Sequence, residues 1–347
     1  MNKSRVNKYQ ESIEKYILEN QSSPFANDDQ ADIKFKFVEE KFSESNKFLS
    51  VLLLTIMNSQ LKKKKISIPG YSAACGIEII YLLFKIHDKK VIYEKIYKNM
   101  IGQLIVKLSF YWVKSIKTNL DSLRRKIDSS KNTKSGSAKF NKIYSCVMNM
   151  ITDDIHFFID RESIGVDLKF QSESQKKKSD MTSFYLYKNT ELNDKFKEIK
   201  LINTEVIKKS VIDTVCNIGE LAAGLGWMLG TGTEKKIPKV KGIGKHFAMI
   251  YQLAMDFKSI DDDIIEAYES EQKFTYNYVL NCGFQNSYQL YQEHMNQFIT
   301  EVNELELYSG TIKELVEMLD NIVDNCLNNT TPDLKSTFTN TLTANTK

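Results

Sequence analysis

The stretch from Gly242 to Glu266, GIGKHFAMIYQLAMDFKSIDDDIIE, constrains this chain more than any other. Phe247, Ile250, Ala254, Phe257 and Ile264 recur at three- and four-residue steps, the apolar stripe that seats a helix in a core. Gln252, Asp256, Ser259 and Asp263 recur at the same steps on the opposite side. The spacing predicts one helix over 242–269 with a buried apolar face and a face of oxygen-bearing side chains. A solvated surface over a core is the plainest use of such a face.

Punctuation elsewhere is sparse. Four prolines and fourteen glycines in 347 residues favour long helices over many strands and turns. Apolar residues at 42% are ample for a large core, and a scattered net charge of +4 excludes a dedicated nucleic-acid surface. The apolar run Val51–Met57 falls far short of the ~20 residues of a membrane span. No signal-peptide pattern opens the chain, so a cytoplasmic protein without a transmembrane segment is expected. Cys75, Cys146, Cys216, Cys282 and Cys326 form no CxxC pair and read as reduced core thiols. The four histidines are well separated in sequence, which predicts no histidine metal cluster.

Helices are expected over 2–20, 31–61 with a break near 43–46, 70–87, 91–128, 140–161, 194–203, 204–229, 242–269, 274–282, 285–305 and 311–325. Lys62–Lys65 reads as a solvated loop or helix end, and 129–137 as a loop. Residues 1–30 form an N-terminal helix and loop, 31–327 one helical domain with a polar insertion at about 162–190, and 328–347 a disordered tail. No repeat or strand is evident, and the class is all-α.

Several motifs, taken in order, resemble the trans-isoprenyl diphosphate synthases (polyprenyl synthetases). Tyr251-Gln252, followed by Asp256, is similar to that family's second aspartate-rich helix, Phe-Gln-x-x-Asp-Asp-x-x-Asp, with Met255 and Ser259 at the other two aspartate positions. Ala73 to Lys95 is similar to the first aspartate-rich helix: Glu78 stands at the family's Glu and His87-Asp88 at its His-Asp, while Lys89 and Ile92 replace the later aspartates. Upstream, Lys47 is what remains of Gly-Gly-Lys-Arg-x-Arg-Pro, with Phe48 and Ser50 at the arginines. Lys209-Ser210, ahead of Gly219, Ala222, Ala223 and Gly226, resembles a Lys-Thr pair, and Lys273-Phe274-Thr275 a later Lys-x-Thr element.

The resemblance implies an isoprenoid-synthase-type bundle of long helices around a central cavity, usually dimeric. It also implies chemistry in which Mg²⁺ held between the two aspartate-rich helices draws diphosphate off an allylic substrate. The six aligned positions carry one net negative charge in place of six, and Met255 and Ile92 cannot ligate magnesium. Asp263 shares the Asp256 face but lies about 10 Å further along an unbroken helix. The residual metal ligands are thus Asp88, Asp256 and Asp263, and the substrate-binding candidates are Lys47, His87, Lys89, Lys209 and Gln252. Leu83 and Phe84 would line the cavity wall below the first motif, where bulk shortens the product in the family.

Two readings follow from the resemblance. One is a polyprenyl synthetase homologue with lost or altered prenyl transfer, a non-catalytic partner in a homodimer or in a heterodimer with an active paralogue. The other is an active short-chain prenyltransferase or terpene-synthase relative that binds an isoprenoid diphosphate with Mg²⁺ at a rearranged site. A helical interaction protein with coincidental motifs is the third expectation.

Overall fold

The computed structural model describes residues 4–20, 40, 44–61, 68–88, 114–115, 117–122, 124–125, 138, 141–152, 170–171 and 189–330. Among the described residues the regular structure is helical. Extended pairing is limited there to two isolated bridges, Phe170 with Ile202 and Lys200 with Phe274. The all-α expectation holds. Lys62–Lys65, the 129–137 loop, most of 91–128 and of the 162–189 insertion, and the tail beyond 330 lie outside the described residues.

The chain divides into two compact units. The first comprises Met1–Gly165, Asn217–Lys245 and Glu301–Glu314; the second comprises Val166–Cys216, His246–Thr300 and Leu315–Lys347.

At the centre of the first unit is α2 (Phe48–Gln60), in which every residue from Phe48 to Met57 is buried. A helix apolar all round needs partners on several sides. It packs against α3 (Ile68–Asp88), α1 (Arg5–Asn20) and the helix Asn217–Leu229. Pro69 sits in the first turn of α3, where a missing N–H costs nothing. Gly226 is where the 217–229 helix meets α2 backbone to backbone: a Cβ there would overlap the Leu53 carbonyl oxygen and lie 3.1 Å from its carbon. N-terminal α1 buries Val6, Ile13 and Ile17 along one stripe. Its first turn is tied down by Glu314, whose Oε2 accepts from the Arg5 N–H at 2.9 Å and the Val6 N–H at 3.4 Å. A carboxylate there also offsets the positive end of the helix dipole.

In the second unit, α4 (Thr190–Glu198) begins on Asn189, whose side chain accepts from the Leu192 N–H. The sequence placed this helix at 194–203. It ends five residues sooner because the Lys200 N–H bonds to the Lys273 carbonyl at 2.7 Å and the Ile202 N–H to Asn281 Oδ1 at 2.6 Å. Helical structure then resumes as α5 (Thr204–Val211), passes through a π turn at Ile212–Cys216 and continues as α6 (Asn217–Leu229).

The predicted helix over 242–269 is two helices. The first, α7 (Ile237–Lys258), starts earlier than expected, with Pro238 in its first turn. The second, α8 (Ile260–Glu269), restarts on Ser259 as N-cap. Asp261, Asp262 and Asp263 fill the first turn of α8, where negative charge is favoured. Likewise 274–282 is helical only as the short α9 (Tyr278–Cys282), followed by α10 (Phe284–Glu304) and α11 (Gly310–Thr330). Phe247 meets Phe298 with ring centroids 5.2 Å apart, and Phe257 meets Phe284 at 5.7 Å. Two of the sequence-distant histidines also come together, with His246 Nδ1 2.9 Å from His294 Nδ1. That spacing suits one proton held between two rings, a pairing no sequence interval announced.

Candidate functional site

The acidic face of α7 is folded into the protein. Asp256 is 3% exposed, and each of its carboxylate oxygens accepts a bond from a protein donor. Oδ1 takes Gln252 Nε2–H, one helical turn back, at 2.7 Å, and Oδ2 takes the Tyr278 N–H at 2.9 Å. The second bond places the carboxylate on the N-terminus of α9, where an anion meets unsatisfied N–H groups. Gln252, a substrate-binding candidate from the sequence, donates to Asp256 here.

Asn277 joins the two aspartates of this face. Its Nδ2 donates to the Asp256 carbonyl at 2.8 Å and to Asp263 Oδ2 at 2.8 Å, while its Oδ1 caps α9 by accepting from the Leu280 N–H. Ser259 Oγ donates to the same Asp263 Oδ2 at 2.6 Å. The break at Ser259 thus brings Asp263 within reach of a residue that also holds Asp256, which an unbroken helix would not do. Asn281 extends the lattice, donating to the Thr275 and Asn277 carbonyls. Asn277 was legible as a possible helix cap, since it precedes the apolar Tyr-Val-Leu run. Its bonds back to Asp256 and Asp263 were not.

On the first motif, Phe84 is buried, with its ring 6.2 Å from that of Tyr81 and the Lys85 ammonium over both rings. Leu83, His87 and Asp88 are in the last turns of α3, but their side chains lie outside the described residues, as does the whole of Lys89. Lys209 is exposed near the end of α5, whose helix packs against α9.

Upstream, Lys47 is 2% exposed and adopts a left-handed backbone, with φ 54°, just ahead of α2. Its ammonium donates to Glu14 Oε1 at 2.9 Å and to the Ser45 carbonyl at 3.0 Å, so it is turned inward against α1. Ser50, at an arginine position of the resembled motif, and Ser45 both reach Glu78 on α3. These polar contacts between the segment and α1 and α3 were not foreseen from the sequence.

No protein-family model matches the chain, and no curated protein matches it in sequence. Solved structures do. A geranyltransferase from Legionella pneumophila superposes with a TM-score of 0.53 at 12% identity, over 92% of this chain and 96% of its own. A geranyltranstransferase from Thermotoga maritima gives 0.52 at 13% identity, over 91% and 99%. A geranylgeranyl pyrophosphate synthetase from Geoglobus acetivorans gives 0.51 at 11% identity, over 93% and 99%.

The fold is that of the trans-isoprenyl diphosphate synthases. Identities this low carry the synthase fold and leave the chemistry to the residues. Magnesium takes hard oxygens in near-octahedral geometry and dehydrates reluctantly. Where the resembled second motif has three aspartates, this chain has one, and both its oxygens accept from protein donors. Asp263 Oδ2 accepts two more. Among the described residues no three acidic, histidine or cysteine side chains converge to hold a metal ion. The donor set of the α7 face does not fit a magnesium cluster. It does fit a buried brace that fixes α7, α8 and α9 to one another. Among the described residues, no helix is long and apolar enough to cross a membrane.

Proposed function

We propose that this chain is a polyprenyl synthetase homologue of isoprenoid biosynthesis that has lost prenyl transfer and serves as a non-catalytic partner in a cytoplasmic dimer with an active paralogue. The observation that supports this most strongly is the state of Asp256. In a fold shared with geranyltranstransferases, the retained aspartate of the second motif is buried and engaged by Gln252 Nε2 and the Tyr278 N–H. A leaving diphosphate is stabilised by concentrated positive charge, and that charge needs carboxylates to assemble it. Met255 and Ser259 supply none.

The upstream segment supports the same reading. A diphosphate is gripped best by forked guanidinium donors, and Phe48 and Ser50 offer no such fork. The Lys47 ammonium is directed at Glu14 instead. Lys209 and the His87–Lys89 stretch would carry whatever affinity for an isoprenoid diphosphate persists.

Purified chain supplied with Mg²⁺, isopentenyl diphosphate and each allylic diphosphate in turn is expected to give no extended product. Chain extension at the ordinary enzymatic rates of 1–10³ s⁻¹ would overturn the proposal.

A further inference from the structure

A count of hydrogens around Ser50 decides the charge of Glu78. Ser50 Oγ lies 2.7 Å from the Ala74 carbonyl oxygen and 2.6 Å from Glu78 Oε1. Two oxygen–oxygen contacts this short require a proton in each, because bare lone pairs at that separation repel. Ser50 brings one hydroxyl hydrogen and the Ala74 carbonyl brings none. The Ser45 hydroxyl hydrogen is committed elsewhere: its Oγ lies 2.7 Å from Glu78 Oε2 and accepts the Lys47 N–H at 3.1 Å. The second proton must come from Glu78.

We infer that Glu78 is held as a neutral carboxylic acid and works as a proton-dependent latch between α3 and the start of α2. In this arrangement Glu78 Oε1–H donates to Ser50 Oγ, Ser50 donates to the Ala74 carbonyl, and Ser45 donates to Glu78 Oε2. Every hydroxyl is used once as a donor. Loss of the proton leaves Ser50 with two acceptors and one hydrogen, so one of its two bonds must open.

The surroundings favour the neutral form. Glu78 is 2% exposed, and burial pushes its carboxyl up from the usual range, against the Ser50 and Ser45 hydrogen bonds, the Lys47 charge and the Ser50 backbone N–H, which pull it down. Among the described residues the charged or titratable groups around it are few. Lys47 approaches from ahead of α2, but its ammonium bonds to Glu14 of α1. On α3 itself Cys75 is a thiol that burial, the foremost cause, pushes up to about 12. The α6 helix, packed on both α2 and α3, carries Glu220 alone, and that side chain is not buried.

The linkage has a definite sign. A carboxyl whose folded-state value is raised contributes stability that is full below the ordinary glutamate value of 4.5 and is lost as pH rises through the raised value.

The test compares wild type with Glu78→Gln, whose amide keeps a donor toward Ser50 and an acceptor toward Ser45. The variant is expected to unfold at the wild-type midpoint at pH 4.5 and above it at pH 9. A variant less stable than wild type across the whole range would overturn the inference, because it would mean that Gln lost an ionised partner of Lys47. Should Glu78→Gln fail to fold, wild type labelled with ¹³C at the glutamate δ-carbon gives an independent reading. Because burial also pushes Glu301 up, a signal at the protonated carboxyl position at pH 7 that Glu78→Asp removes supports the latch, and no such signal overturns it.

Discussion

Asp256→Ala is expected to destabilise the protein by on the order of 3 kcal/mol, read as a fall in the urea midpoint. The substitution strands two buried donors, Gln252 Nε2–H and the Tyr278 N–H, and each unsatisfied donor costs about 1–3 kcal/mol. Asp256→Asn is the milder replacement. Its oxygen can meet the Tyr278 N–H, and its NH₂ can meet Gln252 once the Gln252 amide turns over to present Oε1. Asp256→Ala should therefore melt earliest, with Asp256→Asn between it and wild type. A carboxylate retained for metal binding behaves differently: groups held for activity are often neutral or costly to stability, and removing them leaves the fold intact or firmer. Unchanged midpoints for both variants would return Asp256 to a metal-binding role.

The second large effect is expected at Gly244. A Cβ at this position of α7 would overlap the Gly219 carbonyl oxygen and lie 2.8 Å from Ala223 Cβ, both on α6. Backbone cannot rotate out of the way as a side chain can, so Gly244→Ala must push the two helices apart. Overpacking of this kind costs about 3 kcal/mol or more when the neighbour is rigid. Gly224→Ala is the internal control. Its Cβ would meet the flexible Met150 side chain at 3.4 Å, and Ala is favoured over Gly inside a helix by up to about 1 kcal/mol. Thermal denaturation should rank Gly224→Ala at or above wild type and Gly244→Ala far below it. Equal tolerance at the two sites would mean that α6 and α7 do not meet through their backbones.

The α7 helix shows how far sequence reaches. Its two faces were legible because the 3.6-residue period sorts Phe247, Ile250, Ala254 and Phe257 from Gln252 and Asp256, and all six are buried or partnered as a helix requires. The end of the helix at Lys258 was not legible. Apolar positions stay in step through Ile260 and Ile264, so the period alone sees no break. What sets the break is non-local: Asn277, eighteen residues beyond Ser259, bonds to both Asp256 and Asp263.

The same limit applies to Lys47. Its place in a diphosphate-binding motif rests on residue type, whereas its inward turn depends on Glu14 and Ser45, which no spacing rule joins to it. Apolar stripes and small-residue crossings such as Gly226 and Gly244 are what seat these helices against one another.

The central claim is that the acidic face of α7 braces the protein and gathers no metal cluster. Electron paramagnetic resonance of Mn²⁺, which takes the same oxygen ligands as Mg²⁺, tests it directly when the chain is titrated in the presence of inorganic diphosphate. The free-ion signal is expected to match that of a protein-free solution of Mn²⁺ and diphosphate. Stoichiometric uptake of several Mn²⁺ ions per chain, abolished by Asp256→Asn, would contradict the account.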